Sequence, residues 1–158
     1  MTTIRDLLSF RLHVVANLLS RGAELRYRRE FGVSLWEWRT VALLGGAAAP
    51  LSLNELAHAA GIDKSQMSRV VSGLAGRGIV LREADAEDAR GVRLALSAAG
   101  RKLYGGLIRA ARERDAAFLE ALSPRERQGL EAALGKLAER ARTFIQRERV
   151  LGAKPGRK

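Results

Sequence analysis

The stretch Leu51-Ser52-Leu53-Asn54-Glu55-Leu56-Ala57, followed after Gly61 by Ile62-Asp63-Lys64-Ser65-Gln66, holds two helix starts separated by a short turn. Ser52 is placed to accept an unsatisfied amide of the first turn, and Glu55, three residues on, to accept the Ser52 amide in return. Asp63 and Gln66 repeat that spacing. Leu53, Leu56, Ala57 and Ala60 give the first helix a short apolar face, which Gly61 ends as a residue free to take positive φ. Met67, Val70, Val71 and Leu74 recur at spacings of three and four and form the buried stripe of the second helix, until Gly78 closes it. A barely two-turn helix, a glycine-containing turn and a second capped helix form a geometry in which the second helix enters a major groove.

After Gly78 the period changes from helical to alternating. Residues 79–83 (Ile-Val-Leu-Arg-Glu) and 92–96 (Val-Arg-Leu-Ala-Leu) read as strands, joined by residues 84–91, a loop of mixed charge too long for a tight hairpin turn. A two-stranded sheet of this size is marginal alone, so its apolar side must rest on the preceding helices. The expected fold is mainly α with a small β-hairpin wing, a winged helix-turn-helix flanked by long N- and C-terminal helices.

Outside this unit the pattern is helical. Residues 5–29 set Leu7, Val14, Leu18 and Leu25 on one stripe and Leu8, Leu12, Val15 and Leu19 beside it, a face wide enough for more than one neighbour. A connecting helix is expected over 97–122, carrying Leu103, Leu107, Ala111, Phe118 and Leu122. Ser123-Pro124-Arg125-Glu126 then supplies an N-cap, a proline at the first helical position and an acid at the third, opening a helix over 123–148 with Leu130, Leu134, Leu137, Ala141, Phe144 and Ile145. Three long apolar faces exceed what one small sheet and two short helices can cover. They predict either a dimer or an intramolecular bundle. We expect a single domain over 1–149, its DNA-binding core at about 32–100, and a basic, mobile tail at 150–158.

The 158 residues carry a net charge of +11, which favours polyanions without conferring sequence selectivity. No cysteine is present, which excludes disulfides, thiolate metal sites and thiol redox sensing. Charges interrupt every apolar stretch before it reaches membrane-spanning length, making the cytoplasm the expected location and a membrane an unexpected partner. The two histidines, His13 and His58, stand far apart in sequence, and Asp85 and Asp88 fall in a loop where nothing apolar would raise a carboxyl pKa. Neither an enzyme nor a metal or other cofactor is expected.

Asp85, Asp88, Arg90, Leu96, Ser97 and Gly100 resemble the wing signature of the MarR family of bacterial transcriptional regulators: two aspartates three apart, a basic pair, then Leu-Thr-x-x-Gly. Ser97 stands where threonine is usual, and Ala89 replaces the first arginine of the pair. Leu35-Trp36-Glu37-Trp38-Arg39-Thr40-Val41-Ala42-Leu43-Leu44 resembles the family's second helix. The resemblance implies a homodimer in which the first and last helices of two chains intertwine. It also implies Arg90 in a minor groove, with Asp88 bracing the wing through a salt bridge. Some relatives hold a small aromatic or phenolic acid between the dimer helices and the winged unit. Here His13, Trp36, Trp38, Arg39 and Arg11 are the candidate lining groups, although residues two apart on a helix, such as Trp36 and Trp38, point about 200° apart.

On the second helix of the motif, cap and core claim Asp63, Met67, Val70, Val71 and Leu74. Lys64, Ser65, Gln66, Ser68, Arg69 and Ser72 remain as the outward set. Arg69 suits guanine O6 and N7, Gln66 suits adenine N6 and N7, and Ser65 and Ser68 suit phosphate or base. Arg69 as a phosphate clamp is the alternative. Arg77, Arg82 and Arg93 are phosphate candidates. The expected function is sequence-specific binding of a double-stranded DNA operator with an inverted repeat, as a ligand-responsive repressor; the alternative is a constitutive or nonspecific architectural dimer without an inducer.

Overall fold

The computed structural model describes residues 3–84 and 91–152. The chain divides into two compact units, Met1–Arg112 and Glu113–Lys158.

The first unit starts with a 3-10 turn, Ile4–Asp6, in which the Asp6 carboxylate accepts the Thr3 amide at 2.7 Å and holds its own pKa below the ordinary aspartate range. Leu7 then adopts an extended conformation, so the first long helix, α1, spans Leu8–Phe31 instead of starting at residue 5. It runs past residue 29 to a left-handed Gly32, whose amide returns to the carbonyls of Tyr27 and Arg28. Helix α2 (Leu35–Gly46) opens on a capping box: Ser34 accepts the Glu37 amide while the Glu37 carboxylate accepts the Ser34 amide at 2.7 Å.

Helices α3 (Leu53–Ala60) and α4 (Lys64–Gly76) fall where their caps place them. Ser52 and Glu55 form the reciprocal pair, and Gly61 takes φ 71°. The Asp63 carboxylate accepts the Gln66 amide at 2.8 Å.

The wing strands are β2 (Val80–Ala84) and β3 (Val92–Leu96), with β1 (Leu51–Ser52) on the other edge of β3. The sheet thus has three antiparallel strands in the order β1-β3-β2, not the two expected. Its third strand arises because Leu51 and Ser52 pair with Leu94 and Arg93 before the chain turns into α3. Val80, Leu94 and Leu96 are buried, as the marginal stability of so small a sheet requires.

Tyr27, Val33, Trp38, Val41, Leu56, Met67, Val71, Leu74 and Leu107 complete the core of this unit. Each large side chain so buried contributes roughly 1.5 to 3 kcal/mol before entropy is charged against it. Helix α5 (Ala98–Leu119) starts from this core; it ends before Leu122, which lies beyond the helix in a turn closed by the Leu122 amide on Leu119. The division between units falls within it.

In the second unit, α6 (Pro124–Gly152) begins at the expected serine cap, with Glu126 accepting the Ser123 amide at 2.8 Å. It continues through Val150 and Leu151, residues expected in the tail; residues 153–158 lie outside the described set. No residue of α6 is buried.

Candidate nucleic-acid interface

Helix α4 separates two chemistries. Met67, Val71 and Leu74 are fully buried, and the Thr40 hydroxyl of α2 donates to the Met67 thioether at 3.6 Å, tying the inner face to the core. Lys64, Ser65, Arg69 and Ser72 are exposed, with Gln66 and Ser68 half-buried beside them. Neither Lys64 nor Arg69 forms an ion pair with a described residue. The outer face therefore offers two cations, an amide and three hydroxyls on a rigid helix whose other face is packed. That is the donor set that base edges and phosphates accept.

The remaining basic candidates are held. Arg82 on β2 donates to the Ser72 hydroxyl at 2.8 Å, joining wing to helix. Arg77, which caps α4, pairs with Glu37 at 3.0 Å. Arg93 on β3 pairs with Glu55 at 3.0 Å. Asp88 and Arg90, with Asp85 and Ala89, lie outside the described residues. The Ser97 hydroxyl donates to the Gly78 carbonyl at 2.6 Å and accepts the Gly100 amide at 3.0 Å, fastening the turn after α4 to the start of α5.

The five candidate ligand residues are not gathered at one place. Trp38 is buried with its ring 5.1 Å from that of Tyr27, which makes it a core residue. Trp36 is half-buried under the Arg39 guanidinium, 4.7 Å from the ring centroid, and Arg39 also donates to Ser20 of α1 at 3.3 Å. His13 and Arg11 stand exposed on α1, with His13 Nε2 2.8 Å from Asn17 Nδ2. An open cleft of about 230 Å³ sits elsewhere, lined by Leu44, Pro50, Leu96 and Arg101 among others, and by none of the five.

Glu37 acts as both cap and ion-pair partner, a role absent from the sequence expectations although Ser34-x-x-Glu37 carries the same local signal as Ser52-x-x-Glu55. The second role of Glu55 had no local signal, because Arg93 meets it only through the pairing of β1 with β3.

The model of the MarR family matches residues 31–91, the segment that holds α2, α3, α4 and β2. That segment is similar to the MarR family. The fold extends the likeness beyond it. A MarR/EmrR family transcriptional regulator from Acinetobacter sp. ADP1 is 26% identical over 90% of this chain and 99% of its own, with a TM-score of 0.81. A MarR family regulator from Silicibacter pomeroyi DSS-3 is 28% identical over 87% of this chain and 99% of its own, with a TM-score of 0.73. MepR from S. aureus, crystallised as a complex with DNA, is 20% identical over 84% of this chain and 97% of its own, with a TM-score of 0.77, a likeness of fold. A search of curated protein sequences finds no match. Among the described residues no helix is long and apolar enough to cross a membrane.

Proposed function

We propose that the chain is a transcriptional regulator that binds double-stranded DNA sequence-specifically, as a homodimer on an inverted-repeat operator. The observation that carries this reading is the split of α4 into a buried apolar face and an outward face on which Lys64, Ser65, Arg69 and Ser72 are exposed and Gln66 is half-buried. The DNA complex of MepR, which shares the fold, supports it. Dimerisation is supported by exposed apolar rows: Leu8, Val15, Leu18 and Leu25 on α1 are 53–67% exposed, and Phe144 and Ile145 on α6 are 51–60% exposed. Faces of this kind are what an obligate interface covers. Arg90, beyond the described residues, is assigned to the minor groove and Asp88 to bracing the wing.

The output is repression in the cytoplasm, because a DNA-binding dimer blocks polymerase by occupying a promoter. A small aromatic carboxylate releases it, docking on the pair formed by Trp36 and Arg39, which joins an aromatic face to a guanidinium. A ligand that prefers the non-binding arrangement 100-fold shifts operator affinity by about 2.7 kcal/mol, enough to switch a promoter. Constitutive binding is the second reading, favoured by the packing of Phe31 against Gly106, where an added Cβ would lie 2.8 Å from the ring.

Selection of bound fragments from the source genome tests DNA recognition: enrichment of an inverted repeat near promoters is expected, and uniform recovery of all fragments would leave only the architectural role. A screen of aromatic carboxylates for operator release separates switched from constitutive repression.

A further inference from the structure

Two of the three held arginines share one arrangement. Glu37 and Glu55 each occupy the third position of a capping box, where the carboxylate accepts the amide of Ser34 or Ser52 at 2.7 Å. Each also accepts an arginine at 3.0 Å, Arg77 from the end of α4 and Arg93 from near the start of β3. These contacts span 40 and 38 residues. The sheet register explains the second pair: Ser52 lies opposite Arg93, so the first turn of α3 brings Glu55 beside that guanidinium. Because a backbone amide pins each carboxylate, it cannot follow its arginine toward a ligand. The arginine side chains are 43% and 33% exposed, within reach of solvent and of any polyanion on that surface.

We propose that Glu37 and Glu55 are built-in competitors of DNA phosphate for Arg77 and Arg93, positioned to limit binding that is driven by charge alone. This inference rests on the DNA-binding reading above. A chain at +11 binds any duplex through counterion release, and each phosphate neutralised steepens the dependence of log K on log salt by about 0.9. An arginine already matched by a fixed carboxylate contributes less to that slope. Exposed pairs of this kind are worth little to stability, so restraint of the guanidinium costs the fold almost nothing. The contacts of α4 to base edges are untouched by the pairs, so the carboxylates lower nonspecific affinity and leave base reading alone. Lys64 and Arg69, which carry no such partner among the described residues, keep their full charge for DNA.

The test measures binding of a random-sequence DNA duplex across a salt series for the full chain and for E37Q, E55Q, R77Q and R93Q. Glutamine keeps the amide-accepting oxygen of the capping box, and thermal unfolding checks that each variant is folded. E37Q and E55Q are expected to bind more tightly at low salt, each steepening the slope by about 0.9. R77Q and R93Q should change the slope little in the parent chain, yet each should remove that added 0.9 when combined with its glutamate partner's substitution. Unchanged slopes in E37Q and E55Q, or weaker binding by both, would overturn the inference and make the carboxylates mere orienters of the arginines. Failure of the unsubstituted chain to bind any duplex would instead overturn the DNA-binding reading itself.

Discussion

Arg69 stands on the exposed face of α4 one turn beyond Ser65, unpaired with any described carboxylate, and its value lies in what it distinguishes. If it takes guanine O6 and N7 as a fork, Arg69→Ala should cost about 1 to 3 kcal/mol of discrimination at one base pair of the operator and leave other positions alone. Competition binding with single-base operator variants reads this directly. Equal weakening against every sequence would make Arg69 a phosphate clamp. Glu126 offers a separate residue-level test in the second unit. The Ser123 hydroxyl, and after it the Ser123 amide, hold the Glu126 carboxyl below the ordinary glutamate range. A carboxyl depressed by folding stabilises above its unfolded pKa, and that contribution disappears as pH falls through the folded value. Carboxyl NMR titration should therefore find Glu126 with a lower midpoint than in Ser123→Ala, and the first turn of α6 should fray as Glu126 protonates. Identical midpoints would dismiss the cap as the cause.

The start of α5 carries two glycines of opposite meaning. A Cβ on Gly100 would collide with the Ile79 carbonyl, a backbone atom that has no rotamer with which to retreat, whereas a Cβ on Gly105 meets nothing within 4 Å. Gly100→Ala should therefore destabilise by about 1 to 3 kcal/mol and Gly105→Ala should stabilise by about 0.5 to 1 kcal/mol, as calorimetric unfolding would show. Comparable effects from both would mean that close packing does not set this junction. The same contrast explains what could be read before the structure. Helices α3 and α4 were legible because their caps are hydrogen bonds between residues three apart, and β3 was legible because its alternation is local. Strand β1 was not: two residues have no period, and Leu51 becomes strand only by finding Leu94 more than 40 positions away. Of the proposed interface, the outward set on α4 followed from the core stripe, while the partners of Arg77 and Arg93 depended on tertiary pairing no local pattern encodes.

In the proposed homodimer, two copies at +11 would bring +22 to one duplex, so assembly and electrostatics would act together. Leu18 and Leu25 are 67% and 64% exposed on α1, so charging them should spare the fold of a single chain. The Leu18→Glu, Leu25→Glu variant is expected to sediment as a monomer with an unchanged helical spectrum. Its operator affinity should fall by a factor on the order of 10² to 10⁴, since two half-sites roughly 34 to 36 Å apart would no longer be bound by one particle. A dimer that persists in this variant would remove α1 from the interface.

Apart from Met1, Met67 supplies the only sulfur in the chain, and that sulfur is sealed behind α4 under the Thr40 hydroxyl. Peroxide reaches it only when the helix lifts from its bed, so the rate of sulfoxide formation becomes a clock for that opening. The methyl group of the same side chain, labelled with carbon-13, gives an internal resonance free of crowding. Its shift on adding DNA or an aromatic acid would report whether α4 stays seated or rocks, without a dye, a tag or an engineered cysteine.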